Sequence, residues 1–374
     1  MNFELTEEQQ QLRESLERLI ERTYSFDKRK PIVASPTGHS REVWRQLGEL
    51  GALAIALPEP FGSGGTAVDT SIVMEVLGAH IVVEPYVPAI VLGAGIIARA
   101  GSDDQKQAIL PRVADGDRVL AFAHTESDAR YELAHVQMRA APNSGGFVLD
   151  GDKTVVLGGA AADTLIVSAR VPDGITLFLV DANAPGVTRR AYPAYDEHRV
   201  ADIRFEAVRV GPEAVVGPLG GGLPIIEYAV ERAIAALCAE ALGNMQTLFD
   251  ATSFYVKTRK QFGVAIGTFQ VLQHRLADML MRVEQARSMS YLVATTVESS
   301  DERNRKRVVA AAKALVGQAS RFVGQQAIQL HGAIGLTDEA AVSHYFKRLT
   351  AIGMLFGDAD YHVAKFADLY SKNA

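Results

Sequence analysis

Cysteine and tryptophan are nearly missing: the 374 residues hold one of each. A lone Cys238 excludes an intrachain disulfide framework and any multi-cysteine metal site, and it suits a reducing compartment. Positive charge is also short, with 38 Lys and Arg against 44 Asp and Glu and a formal net charge of −6. Nucleic-acid binding needs a concentrated basic face, so that class falls away. Long apolar runs are lacking too. The best candidate, from Val87 to Ala98, is shorter than the roughly 20 residues of a bilayer span and is closed by Arg99. The start, MNFELTEEQQ, is acidic and polar where a secretory leader has a basic start and an apolar run. The expectation is a cytoplasmic protein without membrane insertion. His344, His362, Asp358 and Asp360 crowd together in sequence, but no His-Glu-x-x-His or similar spacing occurs, so no metal is expected. A Gly-x-Ser-x-Gly elbow is absent, and Ser-His-Asp hydrolysis has no starting point.

What is present is ample apolar material, 48% of the residues, in a chain longer than one core usually serves. Residues 1–118 read as helical, with Leu5, Leu12, Leu16 and Ile20 on one face and Thr6 ahead of an acidic first turn. Further helices are expected near Arg41–Leu50, Thr70–Ala79 and Asp103–Val113, separated by loops such as PEPFGSGG. Residues 119–219 read as antiparallel β, a small barrel or sandwich. FVLDGDKTVV places Asp150-Gly151 between β-prone runs as a hairpin signal, and Ile203 and Phe205 alternate with charge. Residues 220–374 return to long helices. Leu272, Leu276, Met279 and Val283 form one stripe, Val309, Ala312, Val316 and Ala319 another, as in a four-helix bundle.

VLGAGIIA at Val91–Ala98 matches a dinucleotide fingerprint, but Pro85 and Pro88 crowd the would-be strand and no βαβ series follows. Close packing of a helix rich in small residues is the better reading. RKQFGVAIGTFQVLQH, Arg259–His274, is of another quality. A permanent guanidinium, a ring, a Gly-marked turn and amide side chains stand just before a helix, a set suited to a diphosphate and an adenine. In QLHGAIGLTDE, Gly332 and Gly335 break a helix end and free backbone amides for a ligand.

These two segments, with HYFKR beyond them, closely resemble the acyl-CoA dehydrogenase family. AFAHTES resembles the family's Thr-Glu-Pro segment, and LDGDKTVV with GGAAADTLIVSAR its central β segment. Over IAALCAEALG and HYFKRLTAIGMLFGDADYH the chain looks most like the small subunits of pimeloyl-CoA dehydrogenase. The resemblance implies an α–β–α fold, a dimer of dimers, FAD, an acyl-CoA substrate and an electron-transfer flavoprotein as electron acceptor. Thr125, Arg259, Phe262, Gln270, Gln329 and Gly332 are the positions it implies for holding FAD. The family takes the α-proton with a carboxylate while the β-hydrogen leaves as hydride to the flavin.

Here the pattern departs. One family position for the base, a Glu before Gly, holds Phe356 ahead of Gly357; the other holds Ala233. Neither side chain takes a proton. Asp358, two residues on, and Glu231, about 200° around a helix from Ala233, are the remaining acids nearby. The family's Trp-Ile-Thr against the flavin is Val155-Val156-Leu157, and Ser127 and Arg130-Tyr131 replace the Pro and Gly-Ser after Thr125-Glu126. A chain that keeps its ADP-holding residues, which in this family serve the neighbouring protomer, yet lacks a base reads as the cofactor-completing subunit of a heteromer. The rival readings are a self-sufficient homo-oligomeric dehydrogenase and a non-enzymatic acyl-CoA-binding scaffold.

Overall fold

The computed structural model describes Leu5–Ser371. Helices come first: α1 (Glu7–Thr23), α2 (Phe26–Ala34), α3 (Arg41–Glu49), α4 (Ala67–Ala79), a π-helical stretch (Val87–Ala94) running into α5 (Gly95–Ala100), and α6 (Asp103–Ala114). Thr6 caps α1 reciprocally with Gln9, satisfying two backbone donors that a helix start leaves free. The strands follow: β1 (Leu120–Ala123), β2 (Arg139–Asn143), β3 (Gly146–Leu157), β4 (Thr164–Val171), β5 (Gly174–Asp181), β6 (Val187–Pro193), β7 (Arg199–Val210) and β8 (Val215–Val216). The last part holds α7 (Gly222–Thr258), the short β9 (Lys260–Gln261) and β10 (Val264–Ala265), then α8 (Gln270–Thr296), α9 (Glu302–His331), α10 (Ala341–Met354) and α11 (Ala359–Ser371). Helical, β, helical is the observed order. Among the described residues no helix is long and apolar enough to cross a membrane.

By compactness the chain forms two units. One comprises Arg29–Thr66 and Val83–Ala233, and its centre is the sheet, ordered β6-β7-β3-β2-β4-β5-β8 with β1 beside β4. This corrects the antiparallel barrel or sandwich: the sheet is open and mixed, because β1 and β2 run parallel to β4. The reason is legible in β4, where all but one residue is buried. A strand covered on both faces lacks the in-out alternation of a one-sided antiparallel sheet. Asp163 fixes the β1–β4 register, its carboxylate accepting from Val119 N–H and its own N–H donating to Val119 O. Asp150-Gly151 is not a hairpin turn either. It lies inside β3 as a bulge where the β3–β7 register shifts; Gly151 sits at φ +144 against Met138, and Asp150 accepts from Ala207 N–H. Ile203 and Phe205 point into the sheet core with Leu149 and Phe178. The fingerprint-like Gly93 is a packing residue, since a Cβ there would lie 2.6 Å from that of Leu120.

The other unit comprises residues up to Lys28, Ala67–Val82 and Ile234 onward. Its long helices, α7 from Ile234 onward with α8 and α9, are joined by α10 and α11, which both pack on α9. Gly78 of α4 and Gly243 of α7 let two backbones touch. A Cβ on Gly243 would stand 1.9 Å from the Glu75 carbonyl, and one on Gly78 2.1 Å from that of Glu240. Glu240 is buried and holds the buried Arg348 by two bonds, from Nε at 2.5 Å and Nη2 at 2.8 Å. Cys238 is fully buried on α7, and burial pushes its thiol up to about 12.

Candidate functional site

Arg259, Phe262, Gln270, Gln329 and Gly332 all belong to the second unit, and internal bonds gather the segments that carry them. The β9–β10 hairpin folds Ile266 N–H back onto Arg259 O, and Gln273 Nε2 donates to Gly267 O. Tyr255, at the end of α7, stacks on His331 at 4.4 Å and donates its hydroxyl to His331 O. Arg275 of α8 donates to the Gln326 amide oxygen of α9 at 2.6 Å. The end of α7, the start of α8 and the end of α9 are thereby tied into one patch.

On that patch the candidate side chains face outward. Arg259, Gln270 and Gln329 are exposed and make no side-chain hydrogen bond within the described chain. Phe262 is 90% exposed at φ +53, a backbone region that aromatic residues rarely occupy. Gly332 adopts φ +66 and ends α9, and nothing stands within 4 Å of the place a Cβ would take. Phe254, Val271 and Leu336 add exposed apolar surface. Permanent charge, amides, a ring and open backbone beside apolar surface suit a large anionic aromatic ligand covered by a second protein surface.

The loop carrying Phe356 is built differently. Phe356 takes φ +57 and Gly357 φ +112. Lys313, buried on α9, donates Nζ to Gly353 O at 3.1 Å and to Gly357 O at 2.7 Å. His362, buried on α11, donates Nε2 to Phe356 O at 2.9 Å. Burial lowers Lys313 to about 8 and His362 to about 4. Asp358 accepts from Tyr361 N–H at 2.9 Å, capping the start of α11, so the nearest acid to Phe356 already has a structural task. Ala233 is fully buried in α7, in the sheet-containing unit. Glu231 of the same helix is buried and engaged.

Thr125 belongs to the sheet-containing unit. It is exposed just beyond β1, and its carbonyl accepts from Thr154 N–H at 2.8 Å. Val155 forms a second bulge of β3 at φ +51 and is 47% exposed. A β-branched residue there is strained. Asp202 holds it, accepting from Val155 N–H, from Arg190 at 2.6 Å and from the Tyr192 hydroxyl at 2.8 Å.

Behind Thr125 lies a buried network that sequence reading missed. Lys153 Nζ donates to Glu126 Oε1 at 2.7 Å, Ser168 Oγ at 3.0 Å and His124 O at 3.1 Å. Glu126 also accepts from the N–H groups of Gln137 and Met138. Burial alone would raise the Glu126 carboxyl, but Lys153 and these donors bring it below its ordinary value. Burial lowers Lys153 to about 8. The available signal was a lysine at an inward position of a strand, where solvated lysines do not stand.

The chain matches the family descriptions "Acyl-CoA dehydrogenase, N-terminal domain" over residues 6–117, "middle domain" over 121–208 and "C-terminal domain" over 220–368. It is 31% identical over 376 residues to a probable acyl-CoA dehydrogenase, YngJ, of Bacillus subtilis (strain 168), covering 94% of this chain and 96% of that one. Among solved structures it resembles the ChsE4-ChsE5 complex from Mycobacterium tuberculosis, with TM-score 0.91, 26% identity and coverage of 100% and 99%. It also resembles PigA with FAD and proline, with TM-score 0.92, 25% identity and full coverage of both chains.

Proposed function

Since the chain belongs to the acyl-CoA dehydrogenase family, oxidoreductases of CH–CH bonds with FAD as cofactor, we propose that it is the cofactor-completing subunit of a heteromeric acyl-CoA dehydrogenase, of the kind represented by pimeloyl-CoA dehydrogenase small subunits. One observation carries this reading. Arg259, Gln270 and Gln329 stand exposed and make no side-chain hydrogen bond within the described chain, while both positions that the resemblance implies for the base hold side chains that take no proton, Phe356 and Ala233.

The residues present fit FAD. Arg259 would pair with its diphosphate, Phe262 and Gln270 would meet the adenosine, and Gln329 with the opened backbone at Gly332 would close that end. Thr125 would contact the flavin. When bound, FAD supplies the acceptor for the hydride leaving Cβ as Cα loses its proton, giving the 2,3-enoyl-CoA. The exposed apolar residues around Arg259 support cover by a neighbouring protomer in a dimer of dimers. The carboxylate base then comes from the homologous partner subunit, and an electron-transfer flavoprotein accepts the electrons. The likeness to a complex of two named chains supports the heteromer.

Bound FAD per protomer, measured for the chain alone and after co-expression with a homologous partner, tests this reading. Little FAD alone and recovery with the partner is the expected result. Full FAD and enoyl-CoA formation by the chain alone would overturn it in favour of a self-sufficient homo-oligomer. Asp358→Ala and Glu231→Ala would then identify the base. No FAD in either preparation would leave an acyl-CoA-binding scaffold.

A further inference from the structure

The network behind Thr125 fixes more than a loop. Lys153 carries three N–H bonds, and all three are placed, on His124 O, Glu126 Oε1 and Ser168 Oγ. Ser168 therefore accepts from Lys153, and its own proton is free to go elsewhere. Among the described residues the one acceptor within reach of that proton is His124 Nδ1, 2.9 Å from Ser168 Oγ, and a hydroxyl donating there assigns Nδ1 as the unprotonated nitrogen. That assignment puts the proton of the neutral ring on Nε2. Phe122 stacks parallel to the ring at 5.2 Å and 7°, which locks its plane. Nε2 has no acceptor in the described chain, and it is not sealed off: His124 keeps 7% of its surface open, beside the exposed Thr125.

Charge is fixed as well as tautomer. Burial and then the charge of Lys153 lower His124 to about 3, so the ring stays neutral across the ordinary range. The titratable groups facing it are Lys153 and Glu126, and these neutralise each other.

We propose that His124 is a ligand-binding residue whose Nε2–H donates to a carbonyl-type acceptor on the molecule bound beside Thr125, with Ser168 and Lys153 as the positioning residues that set its tautomer. The inference rests on the proposed function for what that molecule is. The acceptor chemistry is common to a flavin carbonyl and an acyl thioester, and the test separates them.

The full chain, with its partner subunit where FAD binding requires one, is titrated separately with FAD and with octanoyl-CoA. His124→Phe keeps a ring on Phe122 and removes the donor; His124→Gln restores an N–H. Loss of one net hydrogen bond predicts about fivefold to tenfold weaker binding of one probe in the Phe variant, and most of it regained with Gln. The affected probe names the acceptor. Nitrogen-15 NMR of the imidazole reads the tautomer without any ligand: protonated Nε2 is expected in the native chain, and a mixture of tautomers in Ser168→Ala. A protonated Nδ1, or equal affinity of native and His124→Phe chains for both probes, overturns the proposal. A native chain and partner that bind neither probe overturn the functional reading and this proposal with it.

Discussion

Two parts of the C-terminal helices treat their polar groups in opposite ways. Around Arg259 the exposed side chains of Arg259, Gln270 and Gln329 have no hydrogen-bond partner within the described chain, and Gly332 opens the backbone beside them. Around Phe356 the polar groups answer one another: Lys313 holds the carbonyls of Gly353 and Gly357, His362 that of Phe356, and Asp358 caps α11. Leaving a guanidinium without a protein partner is inexpensive only where water or a ligand reaches it. The first region is therefore open to water and to a ligand. The second has closed on itself, and a residue number borrowed from the family would mislead there.

The largest test of that contrast is Phe356→Glu. Position 356 already holds a non-glycine residue at φ +57, so the substitution adds no new class of backbone strain. A general base contributes roughly 10²–10⁴-fold, yet a loop closed on itself should gain none of it, and dehydrogenation of octanoyl-CoA should stay unchanged; a rise of that size would break the contrast and show that only the proton acceptor was missing. No rise would mean that more than a side chain has been lost from the loop. Next comes Arg259→Ala, which should weaken FAD about tenfold to a hundredfold through a lost charge-assisted hydrogen bond, measured by equilibrium titration. Its melting temperature should not change, because the side chain is exposed.

Lys313→Met should do the reverse. Leaving the carbonyls of Gly353 and Gly357 unpaired costs about 1–3 kcal/mol in denaturant unfolding. FAD affinity at the Arg259 patch should be untouched.

The smallest effect is in pH dependence. His362 and His124 stay neutral in the folded chain down to about 4 and about 3, whereas unfolded histidine gains its proton near 6.5. The unfolded state thus binds more protons below pH 6.5, and stability falls as the pH drops toward 4. His362→Gln should flatten that slope in urea melts repeated at each pH, and an unchanged slope would show that His362 is not held neutral.

Much of the fold was legible because its signals are local. Thr6 ahead of the acidic Glu7 and Glu8 reveals a helix start, and the alternation at Ile203 and Phe205 reveals a face. The exposed patch was legible for a related reason, since Arg259 to Gln270 form nearly one continuous motif. The misses were long-range or mixed in their signals. Nothing in LAFA announces that it will lie parallel to residues more than forty positions on, and an Asp-Gly pair reads the same in a turn as in a bulge. α2 holds Pro31 within it and escaped notice, because proline normally argues against a helix interior. Lys153 went unnoticed because its partners Glu126, Ser168 and His124 lie 15 or more residues away in sequence.

The sealed sulfur on α7 has a practical side. Cys238 is fully buried and burial pushes its thiol up to about 12, so a maleimide dye finds almost no thiolate in the native chain. A cysteine placed at Val271, on the exposed patch, would then be the sole attachment point for such a dye without further surgery on the sequence. Fluorescence from that one position would report whether, and how fast, a second subunit arrives over Arg259, turning proposed assembly into something that can be timed.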